Sequence, residues 1–255
     1  MSAAVSYERA REHLERLKMD AALAALDPVL EAAQKNDRLP VEVLDDLLGR
    51  ELAARFERRV TTNLKLAALP APKTLEAFNF DAQPQVPRDV IDELATLRFI
   101  HHGENVLLLG PCGVGKTHLA IGLALKAIEH GHRAYFLTLH DLAIKSRAAR
   151  EKNRLDVLLR VIQRADLFLL DELGYLPLEP ADATFLFEVV SKRYEAAKAT
   201  IVTSNKSYGQ WGEIFPEPVL ATALLDRLLH HATTINIRGE SYRLRHRRAA
   251  GLNPS

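Results

Sequence analysis

The feature that most constrains this chain is the octapeptide at residues 110–117, which reads Gly-Pro-Cys-Gly-Val-Gly-Lys-Thr. It matches the G-x-x-x-x-G-K-[ST] pattern of a phosphate-binding loop. The apolar run Asn105–Leu109 precedes it, and a segment typical of a helix follows from His118 to His130 and ends at Gly131. A strand, this loop and a helix in succession are the context that the pattern requires. The octapeptide therefore predicts a nucleotide-binding α/β domain.

The residues of this loop have distinct predicted tasks. Glycines permit a tight turn that aims backbone N–H groups at phosphate oxygens, and the following helix adds the partial positive charge of its N-terminus. Lys116 is predicted to reach the β- and γ-phosphates, and Thr117 to bind Mg²⁺. The predicted nucleotide contacts are Gly110, Pro111, Cys112, Gly113, Val114, Gly115, Lys116, Thr117 and His118.

Strands and helical segments alternate after the loop, which predicts a mostly parallel five-stranded sheet with helices on both faces. The first strand is the apolar run before the loop. The later strands are predicted at Arg133–Leu137, Leu167–Leu170, Ala199–Thr203 and Thr233–Ile237.

The first part of the chain has a different pattern. Apolar residues recur with helical spacing from Tyr7 to Ala21 and from Val41 to Val60, while Asp27-Pro28 and residues 36–40 indicate breaks between helices. Prolines between residues 69 and 88 indicate a linker. We therefore predict a small all-helical interaction domain over 1–68, a linker and the start of the catalytic module over 69–88, and the α/β domain with a basic tail over 89–255.

Two acids follow the apolar strand at Leu167–Leu170, in the sequence Asp171-Glu172. In an open α/β sheet, ligands bind outside the carboxyl ends of the strands. Asp171 is therefore predicted to face the phosphate loop and hold Mg²⁺, and Glu172 to act as the general base for an attacking water. The alternative is that both acids simply end a strand.

Three further residues are candidates for the same site. Asn205 follows a buried strand and could hydrogen-bond the water or the γ-phosphate, although Asn is also common in turns. Arg227 lies in an amphipathic helix, at the place in chain order where ring ATPases keep an arginine finger for a neighbouring site. The alternative for Arg227 is a surface residue that lies along apolar neighbours. Arg243 is predicted either to contact the nucleotide or to belong to the basic tail.

Taken together, these segments resemble the IstB family of ATP-binding transposition helpers, in the DnaC/DnaA-like clade of AAA+ ATPases. The resemblance covers nearly the whole chain and implies Mg²⁺-dependent ATP hydrolysis by Lys116, Glu172, Asn205 and Arg227. It further implies an ATP-dependent homo-oligomer that assembles on double-stranded DNA and stimulates an IstA-like transposase. The segments that carry it are Gly110–Thr117, Leu169–Gly174, Thr203–Asn205, Trp211–Glu213, Leu225–Leu229 and Asn236–Arg243.

Clusters of basic residues are candidates for DNA binding, because phosphates require only positive charge within reach. The first cluster lies between the second and third strands, where related initiators insert a helix into the ring channel; the alternative is a solvated helix face. It comprises Lys145, Arg147, Arg150, Lys152 and Arg154. A tail cluster comprises Arg238, Arg243, Arg245, Arg247 and Arg248, and an N-terminal one, which could instead contact the transposase, comprises Arg50, Arg55, Arg58 and Arg59.

Composition narrows the class of protein further. The net charge of +1 means that affinity for nucleic acid must come from local clusters. Cys112 is the single cysteine, so the chain cannot form an intrachain disulfide, which fits a reducing cytoplasm. We find no signal peptide and no apolar run of membrane-spanning length. The ten histidines lack the spacing of a zinc site and are interpreted as structural.

Three alternative functions share parts of this pattern. A helicase loader of the DnaC type would use the same core chemistry with a different protein partner. A small-molecule kinase would need an acceptor pocket, whereas the Asp171-Glu172 pair and Asn205 favour water as the nucleophile. A nucleotide-gated scaffold would bind ATP without turnover, which Glu172 disfavours.

Overall fold

The computed structural model describes residues 3–175 and 177–242 of this chain of 255 residues. The chain divides into two compact units, Met1–Thr62 and Asn63–Ser255. Among the described residues, no helix combines the length and the apolar character needed to cross a bilayer.

The described part of the first unit is helical. Its helices are α1 (Ala3–Arg16), α2 (Asp20–Lys35) and α3 (Pro40–Leu66), the last of which continues into the second unit. Leu26 and Val29 of α2 are buried with Leu47 of α3 in a small apolar core. Glu51 of α3 is buried as well and accepts a 2.9 Å hydrogen bond from the backbone N–H of Ala21, in the first turn of α2. Its carboxylate therefore accepts a hydrogen bond at the N-terminus of α2, where the free backbone N–H groups have no capping side chain of the helix itself.

The predicted break at Asp27-Pro28 is wrong, because α2 continues through Pro28. Proline removes one backbone hydrogen bond from a helix, but burial of Leu26 and Val29 on either side offsets that loss. The break lies earlier, where Lys18 adopts a left-handed backbone conformation with φ of 53°. The predicted break at residues 36–40 is confirmed.

Helix α3 carries an exposed apolar stripe. The pattern that predicted this helix includes Leu44, Leu48, Leu52 and Phe56, and each of these side chains is 40–68% exposed. The buried face of the same helix instead presents Leu47 and Glu51. The helical spacing was therefore informative about the element but not about which of its faces meets the core.

The second unit is built around a parallel sheet whose strand order is β2-β3-β4-β1-β5. All five predicted strands are confirmed, although β3 ends at Leu173 instead of Leu170. The strands are β1 (Asn105–Leu109), β2 (Ala134–Thr138), β3 (Leu167–Leu173), β4 (Ala199–Ser204) and β5 (Ala232–Asn236).

Helices cover both faces of this sheet, as the sequence predicts. Phe168 and Leu170 of β3 and Val202 of β4 share one core with the helices α7 to α10, while α6 packs against the strands from the other face. The helices are α4 (Arg88–Ala95), α5 (Arg98–His102), α6 (Lys116–Glu129), α7 (Leu139–Glu151), α8 (Leu155–Arg164), α9 (Pro180–Glu195) and α10 (Pro218–Leu229), with a 3₁₀ helix at Tyr208–Glu213.

A buried arginine joins α8, α9 and β4. Arg193 is 1% exposed, and its guanidinium donates hydrogen bonds to the carbonyl oxygens of Ile162, Ala165 and Ala199 and to the hydroxyl of Thr200. Burial lowers the pKa of Arg193 to about 9, which leaves the group protonated at neutral pH. The side chain therefore satisfies backbone acceptors that would otherwise be buried without partners.

The segment interpreted as a linker over residues 69–88 lies within the second unit. Just before it, the Ala67 carbonyl accepts a hydrogen bond from the backbone N–H of Phe136 in β2. Further along, Phe78 is buried, and a Cβ added at Gly122 of α6 would lie 2.6 Å from the side chain of Leu75. This proline-rich segment is therefore packed on the α/β core rather than spanning a gap.

Candidate active site

The phosphate loop has the geometry that its glycines predict. It joins β1 to α6, and α6 begins at Lys116, earlier than the predicted start at His118. Gly110 and Gly115 have φ angles of 145° and 100°. A Cβ at Gly110 would lie 2.0 Å from the Ile237 carbonyl oxygen, so the close approach of the chain excludes any side chain there.

Lys116 is nearly buried inside this loop. Its Nζ donates hydrogen bonds of 2.6 Å to the carbonyl of Gly110 and 2.7 Å to that of Pro111. Val114, also in the loop, is fully buried. The ammonium group is thus held within the turn by the backbone that surrounds it.

The structure brings Thr117 and Asp171 together, as the sequence pattern predicts for a shared metal ion. The Thr117 hydroxyl donates to both carboxylate oxygens of Asp171, at 2.9 Å and 3.1 Å. Thr203, at the end of β4, also donates to Asp171, which is only 3% exposed. Hydroxyl and carboxylate oxygens are the ligands that Mg²⁺ prefers, so this donor set fits the ion.

Glu172 lies at an irregularity in β3. The register between β3 and β4 shifts between Leu170 and Leu173, and Glu172 has a left-handed φ of 64°. Its backbone N–H donates a 3.0 Å hydrogen bond to the Thr203 hydroxyl. Its side chain is exposed and lines the cavity beside the phosphate loop, which we call the nucleotide cavity. A non-glycine residue in this conformation costs about 1–3 kcal/mol and is a hallmark of functional sites. The bulge lets Asp171 stay buried while its neighbour faces the cavity.

Asn205 lies next to the loop that follows Glu172. A Cβ at Gly174 would come within 2.8 Å of the Asn205 Oδ1. That oxygen is buried and has no hydrogen-bond partner within the described residues. Since buried polar atoms are nearly always paired, this oxygen is available to a ligand or a water. Asn205 does not itself line the cavity at the phosphate loop.

The same cavity has an aromatic wall that the sequence did not predict. Phe78 lies against Gly115, and its ring packs edge-on against His118 with the centroids 5.3 Å apart. The His118 Nε2 lies 2.8 Å from the Thr74 carbonyl oxygen, which fixes the ring. Asn79, Gln83 and Tyr242 complete this wall. The signal for Phe78 was an aromatic pair, Phe78 and Phe80, inside the segment interpreted as a linker.

A second contact missed by the sequence joins the phosphate loop to the loop after β3. The Tyr175 hydroxyl lies 3.1 Å from the Cys112 sulfur and donates to it. Burial, followed by the hydrogen bond to Cys112, raises the pKa of Tyr175, so the phenol stays protonated. This bond holds the loop that follows Glu172 at the rim of the cavity.

Two candidates remain, Arg227 and Arg243, and the structure describes only the first of them. Arg227 of α10 stacks on Phe187 of α9, with its Cζ 4.6 Å from the ring centroid, and is not among the cavity-lining residues. Arg243 lies outside the described residues, as do Arg245, Arg247 and Arg248 of the tail cluster. Arg238 is described and exposed.

The first basic cluster divides into two groups. Lys145, Lys152 and Arg154 are exposed and form no ion pair within the described residues. Arg147 instead donates to the buried Asp182 of α9 at 2.9 Å, and Arg150 donates to the backbone of the same turn. In the N-terminal cluster, Arg50 pairs with Asp46, Arg55 and Arg58 pair with Glu51, and Arg59 lies over Phe56.

Comparison with known proteins identifies relatives over nearly the full length. Residues 12–250 match the family described as IstB-like ATP binding protein. The chain is 47% identical over 239 residues to a Pseudomonas aeruginosa protein named an ATP-binding protein of insertion sequence IS21, covering 94% of this chain and 90% of the relative. A Geobacillus stearothermophilus protein with the corresponding name for IS5376 is 45% identical, with 94% and 96% covered. Among solved structures, the DnaC helicase loader superimposes with a TM-score of 0.52 at 21% identity, over 65% of this chain and 96% of that one.

Proposed function

The chain belongs to the family of IstB-like ATP-binding proteins and is an ATPase with the AAA+ fold, and from this premise we propose that it is the ATP-dependent, DNA-binding helper of an insertion-sequence transposase. The observation that supports the proposed catalytic site is the hydrogen-bonded contact between Thr117 and Asp171 beside Glu172. In this proposal the chain assembles on target DNA with ATP and stimulates its transposase there.

The proposed reaction is attack of water on the γ-phosphate, which breaks the bond between the γ-phosphorus and the β–γ bridging oxygen and releases ADP and phosphate. Lys116 would hold the β- and γ-phosphates, and Thr117 and Asp171 would hold Mg²⁺, which would neutralise charge on the transferring group. Glu172 orients the water and accepts its proton, and the Asn205 amide is proposed to hydrogen-bond the water or the γ-phosphate. The strained backbone at Glu172 supports this role, because it turns the carboxylate toward the cavity while Asp171 remains beside Thr117.

The helper function is tested by strand transfer. We expect the transposase encoded with this chain to integrate donor ends into target DNA faster when the chain and ATP are both present than when either is omitted. The measurement is the yield of joined product with linear donor and plasmid target. Equal yields with and without the chain would exclude a helper role and would favour the alternative, a helicase loader.

Arg227 is proposed to act in the site of a neighbouring subunit. Its position away from the chain's own cavity supports an action in trans. We expect Arg227→Ala to lower the turnover rate by about 10³-fold or more, as removal of an arginine finger does, and to leave ATP binding intact. In the parent chain, the ATPase activity per subunit should also rise as the protein concentration is raised.

Mixing variants checks this assignment. Arg227→Ala subunits keep an intact phosphate loop, while Lys116→Ala subunits keep an intact Arg227, so a mixture should regain activity at interfaces that combine the two. The mixture must form oligomers with the nucleotide analogue, as judged by light scattering. Absence of any recovery in the mixture would assign Arg227 a role within its own chain or none.

DNA contact is proposed for the members of the first basic cluster that form no ion pair within the described residues, Lys145, Lys152 and Arg154. Arg147 is a poorer candidate, because leaving Asp182 would remove the closer of two cations from a buried carboxylate. Contacts to phosphate release counterions, so affinity falls with salt and varies little with sequence. Assembly with ATP would bring one copy of the cluster from each subunit onto the same DNA.

We expect reversal of Lys152 and Arg154 to Glu to weaken binding to duplex DNA and to flatten its salt dependence by about 0.9 per lost phosphate contact. The measurement is fluorescence anisotropy with a labelled random duplex at several salt concentrations. Arg88→Glu with Arg98→Glu is the matched control, since it makes the same change in net charge at exposed sites on α4 and α5. Equal losses in both double variants would mean that overall charge, and not this cluster, governs affinity.

A further inference from the structure

Arg227 has an aromatic ring, rather than a carboxylate, as its neighbour. Its Cζ lies 4.6 Å from the centroid of Phe187, and its Nη1 donates a 3.0 Å hydrogen bond to the Ala223 carbonyl of its own helix. Arg227 forms no ion pair with any residue that the structure describes. The ring and the carbonyl therefore fix the guanidinium without neutralising its charge.

Phe187 is itself held in place by the core. Its side chain is partly buried against the core that joins α7 to α10 with the sheet, and the preceding residue, Leu186, is fully buried. On the facing helix, Leu224 and Leu228 are each 1% exposed, so α10 is fixed on both sides of Arg227. The aromatic surface and the guanidinium are thus carried by two helices that pack directly on each other.

We propose that Phe187 is a positioning residue that holds the Arg227 guanidinium in one place, without a neutralising partner, for the neighbouring subunit's site. An arginine side chain has many rotamers, and confining it to one geometry before assembly removes part of the entropy loss on assembly. A carboxylate partner would hold it too, but its attraction would compete with the γ-phosphate. The face of a phenyl ring attracts the guanidinium more weakly and leaves its N–H groups free to donate. This inference rests on the proposed role of Arg227.

The direct test is Phe187→Leu, which keeps an apolar side chain and removes the ring. We expect kcat for ATP to fall by about 3- to 30-fold, the range that a cation–π contact provides, with KM unchanged because the nucleotide is bound by the chain's own loop. Phe187→Tyr should restore kcat, since it keeps the ring face. Phe187→Met is the second variant without a ring, in case Leu disturbs the fold.

Tyr194→Leu is the matched control. Tyr194 also lies on α9, is 43% exposed, and packs its ring against His230 at the end of α10. Its replacement removes an aromatic contact from the same pair of helices without touching Arg227, so kcat should remain at the parental value. Fluorescence of Trp211, the single tryptophan and fully buried, reports whether each variant keeps its core.

Mixed oligomers separate positioning from a general effect on the fold. If Phe187 acts through Arg227, Phe187→Leu subunits should regain activity with Lys116→Ala subunits, which supply an intact Arg227, and should gain nothing with Arg227→Ala subunits. The reverse pattern would place Phe187 at its own chain's nucleotide and overturn the inference. Parental kcat in both Phe187→Leu and Phe187→Met, with Arg227→Ala inactive, would overturn it as well. Parental activity in Arg227→Ala would instead refute the underlying role of Arg227.

Discussion

Glu172→Gln is expected to bind ATP as the parent chain does and to hydrolyse it about 10²- to 10⁴-fold more slowly, the range that a general base provides. The substitution keeps the size and one oxygen of the side chain but cannot accept a proton. It leaves Asp171, Thr117 and their mutual hydrogen bonds untouched. Binding is measured with a fluorescent ATP analogue, and turnover by release of phosphate.

Glu179→Gln is the control for this experiment. Glu179 is an exposed acid shortly after Glu172 in the chain, it pairs with Arg147, and it does not line the nucleotide cavity. Its variant should turn over at the parental rate. Hydrolysis by Glu172→Gln at the rate of this control would show that another group activates the water.

Lys116→Ala is expected to weaken ATP binding by about 10²-fold or more, as removal of one partner from a buried charged contact does. Lys116 is 6% exposed, and its ammonium lies inside the turn that would surround the phosphates. Without it, the loop keeps its backbone N–H groups but loses the one cation of the octapeptide. Turnover at the variant's own site should be lost with binding.

The control is Lys126→Ala, a lysine further along α6 that does not line the cavity. It should bind ATP like the parent chain, and its Trp211 fluorescence should match that of Lys116→Ala. If Lys116→Ala retained parental affinity with an intact core, the phosphate contact would have to come from the backbone of the loop alone.

The phosphate loop and the sheet could be predicted from the sequence because their signals are local. The glycine spacing of residues 110–117 is required by a backbone turn, and the strand at Leu167–Leu170 is a continuous apolar run, as expected for a buried parallel strand. Alternation of strands and helices then leaves little freedom in the fold class. The meeting of Asp171 with Thr117 follows from that fold, since both lie at the carboxyl edge of the sheet.

The features that escaped prediction depend on contacts between distant parts of the chain. The bulge at Glu172 requires the Thr203 hydroxyl from the next strand in the sheet. The aromatic wall at Phe78 comes from a segment whose prolines indicated a linker. Arg147 and Arg150 pair with the buried Asp182, which lies 35 residues after Arg147 in the chain, and no local pattern predicts that contact.

Pro28 and the α3 stripe illustrate the same limit in the first unit. Proline predicted a break, yet the neighbouring Leu26 and Val29 keep α2 continuous. The helical period predicted α3, yet Leu44 and Leu52 lie outside the core while Leu47 lies within it. A period identifies an amphipathic element, but the choice of buried face is made by the helix that packs on it.

The strand order has a consequence for how the protein is made. The strand that carries the phosphate loop, β1, is hydrogen-bonded to β4 on one side and β5 on the other, and both are synthesised later. A nascent chain interrupted before residue 232 leaves β1 at an open sheet edge, where unpaired N–H and C=O groups invite aggregation. It also lacks Ile237, whose backbone N–H donates to Leu109 directly before the loop. A premature stop before codon 232 is therefore expected to give an insoluble product that quality control removes, and not a nucleotide-loaded fragment that could block the assembly of intact subunits.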